Sequence, residues 1–179
     1  MDDKINTDLR LGFIDICVFN DGSIRGGMLV TDVETRPYEF RVTSPVKPTQ
    51  LQQVLYGSSL KDYVYGELIC APLVKAVKEK LNLVLTKESK LLVIRSLIST
   101  PVLYMYRDQG GIKSGNGGEV SVKPVIISTH RNFTGEEEWA QTVLAPIMHN
   151  HDLLEPFERL RVALTEVHKQ KIEDKGTRG

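Results

Sequence analysis

Period-two alternation of apolar and polar residues marks the first forty positions. In Leu11 to Phe19, LGFIDICVF, the residues Ile14, Ile16 and Val18 share one face and Phe13, Asp15, Cys17 and Phe19 the other. Both faces are mostly apolar, which predicts an inner strand. Asn20-Asp21-Gly22-Ser23 supplies the positive φ angles of a tight hairpin turn. Ile24 to Asp32 returns as a second strand, and its paired Gly26-Gly27 predicts a bulge or a close backbone approach. Pro37 to Thr43 is a third strand, with Tyr38, Phe40 and Val42 opposite Glu39, Arg41 and Thr43. Three consecutive antiparallel strands make a meander.

The period then lengthens. Ser44-Pro45-Val46-Lys47-Pro48 cannot be helix interior or central strand, because two prolines remove donors and fix φ. Thr49 is an N-cap for a short helix carrying Leu51, Val54 and Leu55, which Gly57 stops. Ser59 with Asp62 caps a second helix whose stripe is Leu60, Tyr63, Val64 and Leu68. Pro72 must kink or restart it, and Leu73, Val74, Val77 and Leu81 carry the stripe onward. Leu83 to Leu85 is a fourth strand, and a long helix before it predicts a right-handed parallel crossover. Leu91 to Leu97 fits either strand or helix; Pro101 to Tyr106 is a strand. Residues 107–119 form a Gly-rich surface loop, and Val120 to Ser128 is a strand whose Pro124 argues for an edge or a bulge. Two helices end the chain, each with a capping box, Thr134 with Glu137 and Asp152 with Glu155. In the second, Leu153, Phe157, Leu160, Leu164 and Val167 recur as a short heptad seam. The ends, residues 1–10 and the polar tail after Lys171, read as frayed or disordered.

The architecture expected is α+β: a mixed sheet starting with a three-strand antiparallel meander, helices on one face, and a C-terminal helical hairpin. An α+β core domain of residues 1–130 would be followed by a helical segment, 131–179.

Lysine plus arginine equals aspartate plus glutamate at 23 each in 179 residues, so no overall basic footprint for nucleic acid is present. Cys17 and Cys70 each lie in an apolar run and read as free thiols in a reducing compartment. The polar start, MDDKINTDLR, has no signal-peptide pattern, and no run is long enough to span a bilayer, so a cytoplasmic location is expected.

Two resemblances carry further. Gly26-Gly27, Arg36-Pro37-x-Glu39-Phe40-Arg41, Ser44-Pro45, Gln53-x-Leu55-Tyr56-Gly57 and Glu67-Leu68-Ile69 resemble a widespread family of uncharacterised bacterial proteins, over about residues 24–74. That implies a module without naming a chemistry. The strand and helix order is also similar to the ribonuclease H-like fold, which opens with three antiparallel strands, a helix and a parallel fourth strand. Asp21-Gly22-Ser23 with Gly26-Gly27 looks like that family's first motif, Glu67 falls on its metal-binding helix, and LVLTKES resembles its fourth strand with Glu88 as the terminal acid. The family's first acid lies within strand one, whereas Asp21 reads as a hairpin tip; Asp15 lies within the strand but lacks the following Gly-Ser, and Glu88 stands where the family has Asp. A fourth acid has no clear counterpart; Asp152 and Glu155 are the candidates. The resemblance implies Mg²⁺ ions held by converging carboxylates.

Other candidates have bland readings beside them. Glu67 reads better as an ion-pair partner of Arg41 or Lys61. Tyr56, Tyr63 and Tyr65 could stack a ligand but fit a core rim. His149, His151 and Asp152 could chelate a metal from a loop but fit a solvated helix joint. Lys113-Ser114-Gly115 lacks phosphate-loop spacing. The reading these observations favour is a non-catalytic cytoplasmic module, without cofactor, that binds a protein partner or a second copy of itself through Leu153, Phe157, Leu160 and Leu164, as a subunit of a larger assembly. The alternative is a metal-dependent, ribonuclease H-like nuclease using Asp15 or Asp21 with Glu67 and Glu88, and Mg²⁺ belongs to that alternative alone.

Overall fold

The computed structural model describes residues 8–107 and 125–176, with side chains to residue 171. Its sheet has the order β3-β2-β1-β4-β5-β6. Strand β1 (Leu11–Val18) runs antiparallel to β2 (Ile24–Thr31), which runs antiparallel to β3 (Pro37–Val42). On its other side β1 pairs in parallel with β4 (Leu83–Thr86), and β4 pairs in parallel with β5 (Val102–Arg107). The antiparallel edge strand β6 (Val125–Thr129) completes the sheet. The meander, the inner position of β1 and the parallel fourth strand are as the residue pattern predicts.

The hairpin between β1 and β2 turns at Gly22, whose φ of 77° needs no Cβ relief. Gly26 and Gly27 mark a close approach from both sides, while the register irregularity of β2 falls later, between Val30 and Thr31. A Cβ at Gly26 would lie 2.2 Å from Ile69 Cγ2, and one at Gly27 would lie 2.7 Å from Leu164 Cδ2. One glycine thus seats a helix on each face of the sheet.

Helix α1 (Gln50–Tyr56) starts at Thr49 with a complete capping box to Gln52 and ends at Gly57. The chain continues through α2 (Leu60–Asp62), a π-helical segment Tyr63–Cys70 and α3 (Ala71–Ala76). Pro72 sits in the first turn of α3, and the widened turn before it relieves the clash of its ring with the preceding carbonyls. Leu91 to Leu97 resolves as a 3-10 helix, Ser89–Ser96, that packs under the π-helix through Ile94. These segments cover one sheet face with Ile14, Val30, Ile69, Leu73 and Val84.

Helices α4 (Gly135–Asn150) and α5 (Glu155–Gly176) cover the opposite face. Thr134 makes no side-chain cap bond, whereas Asp152 Oδ1 accepts from Leu154 N at 3.0 Å. Phe157 meets Phe13 edge-on, with centroids 5.2 Å apart. Leu153, Phe157, Leu160 and Leu164 are each 1% exposed or less, so the expected partner-binding seam is interior: it is the stripe that seats α5 on the sheet. The Gly-rich loop, apart from its first residue, the start of the strand expected from Val120, and the extreme ends lie outside the described residues. Among the described residues no helix is long and apolar enough to cross a membrane.

Candidate functional site at the carboxyl edge of the sheet

The parallel strands β1, β4 and β5 end on one edge of the sheet, and side chains collect there from three strands and α5. Crevices outside the carboxyl ends of parallel strands are where α/β sheets bind ligands. Register decides which side chains meet. Phe13 lies beside Leu85 and Ile14 beside Thr86, and Phe13 and Leu85 face α5. Alternation therefore puts Asp15 and Lys87 on the α5 face and turns Glu88 to the other.

Asp15 is buried, its Oδ1 accepting from Ile16 N at 2.8 Å and its Oδ2 lying 3.4 Å from Arg161 Nη2 of α5. Burial pushes its carboxyl above the ordinary carboxylate range, although the Ile16 N–H, Arg161 and Lys87 pull the other way. Lys87 Nζ donates to Glu158 at 2.9 Å, and that contact holds the Glu158 carboxyl below its usual range. Around Asp15 the two carboxylates Asp15 and Glu158 thus alternate with the cations Arg161 and Lys87. Beside them opens a cavity of about 520 Å³ whose polar wall is Lys87, Tyr106, Arg107, Asp152, Glu155 and Glu158, with Glu155 paired to Arg159 of its own helix. Arg107 Nη2 pairs with Asp152 across it at 2.6 Å, and Tyr106 stacks on Tyr104 with centroids 4.9 Å apart.

The other residues expected of a nuclease do not join this group. Asp21 sits at the hairpin tip, accepts from Ser23 N and Oγ at 2.9 and 2.6 Å, and lies 3.9 Å from His168 Nε2. Glu67 is exposed on the π-helix, where its charge is felt by Tyr56. Arg41, one of its two expected partners, bonds Glu39 instead, and Glu39 also accepts from the N–H groups of Lys78 and Glu79. Glu88 is exposed; burial pushes the Tyr65 hydroxyl up, and the Glu88 charge adds to it. Tyr56 and Tyr63 stack at 4.5 Å, at the helix junction. Asp152 is taken by Arg107, and among the described residues no three of His, Cys, Asp and Glu come together as a metal-holding group.

The residues present do not fit the Mg²⁺ ions that the ribonuclease H-like resemblance implies. Two ions roughly 4 Å apart need several carboxylates converging from different elements. Asp15 is buried and faces Arg161, and Glu158 is bonded to Lys87, so each of these carboxylates is turned to a side-chain cation. Lys87 and Glu158 were not foreseen from the sequence, nor was Arg161. The signal was the alternation itself: counted on from Leu85, it places Lys87 rather than Glu88 on the face of Asp15.

A second polar group lies at the far end of α5. Arg25, 2% exposed, donates from Nε to His168 Nδ1 at 3.1 Å and from Nη1 to the Thr43 carbonyl at 2.8 Å. Phe19 stacks on His168 with centroids 3.6 Å apart. This group ties the end of α5 to the first hairpin.

No protein-family model and no curated protein matches the chain. Among solved structures, human endonuclease V is similar over 92% of this chain and 86% of that one, with a TM-score of 0.61 and 12% identity. Ciona intestinalis endonuclease V, solved with a 23mer DNA containing an inosine, is similar over 57% of this chain and 47% of that one, at 14% identity and a TM-score of 0.39. The first likeness establishes the fold. It and the buried seam of α5 overturn the expectation of a non-catalytic module that binds a protein partner or a second copy through Leu153, Phe157, Leu160 and Leu164.

Proposed function

We propose that this protein acts on nucleic acid, with the strand lying across the carboxyl edge of β1, β4 and β5. The observation that carries the reading is the fold likeness to human endonuclease V over nearly the whole of both chains. Three cations at that edge support it. Lys87, Arg107 and Arg161 all keep a solvent-exposed side, as phosphate contacts require. Hydrolysis of a phosphodiester bond is the enzymatic form of this reading, and Asp15 is then the acid on which it depends. A cytoplasmic location goes with it: Cys17 and Cys70 are free and pack on opposite faces of the sheet.

The test uses labelled single- and double-stranded DNA and RNA, with and without inosine, at low salt and with Mg²⁺ or Mn²⁺. Gel shifts read binding and denaturing gels read cleavage. Retention of at least one of these nucleic acids, weakening as salt rises, is expected. Cleavage that disappears in Asp15→Ala assigns the enzymatic form. Failure of all these nucleic acids to bind removes the proposal.

A further inference from the structure

The charge pattern at the carboxyl edge goes beyond the fold likeness and rests on the reading just proposed. A metal-dependent phosphodiester site surrounds cations with carboxylates, and the cations hold the phosphate. Here the same edge has carboxylates and cations in alternation, but the cations are side chains. We infer that Lys87 and Arg161 hold the phosphates of the bound strand in place of divalent ions, so that this protein binds nucleic acid without a metal.

Three observations support the assignment. The first is position: Arg161 and Lys87 flank Asp15 where β1, the end of β4 and α5 meet. The second is unused capacity. The Arg161 side chain is 63% exposed and gives Asp15 one contact of 3.4 Å, leaving most of a five-donor fork free for a phosphate. Lys87 gives one of its three donors to Glu158 and stands 6.0 Å over the Phe157 ring, which fixes the direction of its stem. The third is the nature of the carboxylates. Asp15 is enclosed, with Oδ1 taken by the Ile16 N–H and Oδ2 facing Arg161, which makes it a fixed anchor for that guanidinium. Glu158 is 68% exposed and occupies Lys87 only until a stronger anion arrives. A phosphate entering from solvent displaces the Glu158 carboxylate into water and takes over the Lys87 ammonium. Glu158 is therefore a competitor of the ligand, and its removal strengthens binding.

Fluorescence anisotropy of a labelled oligonucleotide, of the type retained in the gel shift, tests this with full-length protein in EDTA and in MgCl₂. The wild type is expected to bind in EDTA at least as tightly as in MgCl₂, because Mg²⁺ competes for the phosphates as any counterion does. Lys87→Ala/Arg161→Ala should weaken binding at least ~10-fold and lower the log–log salt slope by roughly 2, about one for each phosphate no longer neutralised. Glu158→Gln should bind severalfold tighter than wild type, which a structural role for the Lys87–Glu158 pair does not produce. Because that variant keeps both cations, it reads the inference even if the double variant fails to fold. Binding that is lost in EDTA and restored by Mg²⁺ overturns the inference. So does wild-type affinity in a folded double variant, or weaker binding by Glu158→Gln; in those cases the nucleic-acid reading stands. A wild type that binds nothing in either buffer removes that reading itself.

Discussion

Asp15 is a carboxyl group held where its charge is unwelcome. Its pKa is raised in the folded chain above the unfolded value, chiefly by burial. By linkage, the stability such a group contributes is fully present below the unfolded pKa and is lost as pH rises through the folded one. At neutral pH the ionised side chain is a burden, of the kind proteins retain where function requires it. Asp15→Asn keeps an oxygen for the Ile16 N–H and removes the charge. It is expected to melt higher than the wild type near neutral pH, with the gap closing as pH falls below the ordinary carboxylate range. Thermal melts across that window check this; a lower melting temperature at neutral pH would show that the Arg161 contact outweighs burial. The Arg25–His168 pair makes the opposite case, a buried cation whose donors are met. His168→Leu removes the acceptor from Arg25 Nε and should cost about 1–3 kcal/mol, the penalty for a buried donor left unpaired. Urea unfolding reads it, and His168→Gln, which can present an oxygen, should recover part of the loss.

At the scale of elements, β2 shows why glycine pairs inside a strand matter. Helix α5 approaches Gly27 from one face and the π-helix approaches Gly26 from the other. Gly26→Ala drives a methyl into Ile69, and overpacking of this kind costs about 1–3 kcal/mol. Ile69→Ala in the same chain should relieve part of it, and the coupling in a double-mutant cycle measures the contact. The close approach was legible in the sequence, because two adjacent glycines in an otherwise apolar strand open room on both of its faces. So were the meander, the Thr49 and Gly57 boundaries of α1, and the parallel β4. The role of α5 was not. A seam of Leu153, Phe157, Leu160 and Leu164 has the same spacing whether it covers its own sheet or a partner, and only the packing decides. Of the acids the sequence singles out, Asp15 lies at the carboxyl edge and Glu88 is exposed and turned from it. An acid at the end of β4 is what the resemblance implies, but alternation from Leu85 puts Lys87 on the Asp15 face. Arg161 lies far along the chain from both and could be found only once α5 was placed.

The whole molecule carries no net charge, with 23 basic and 23 acidic residues. That is unusual company for a proposed nucleic-acid ligand, and it has a measurable consequence. Long-range attraction to a polyanion scales with excess positive charge, so encounter is not steered and affinity must come from a few local contacts. Among the described residues the edge offers three, Lys87, Arg107 and Arg161, and the first two stand against Glu158 and Asp152. Neutralising Z phosphates on a duplex gives a log–log salt slope near −0.9Z, so a slope of about −2 to −3 is expected, far from the about −10 of a repressor that makes many phosphate contacts. Anisotropy titrations of a duplex from about 50 to 200 mM salt determine it. A slope of that size confines the contact to the carboxyl edge. A much steeper one would require a basic tract beyond it and would move the strand to another surface of the molecule.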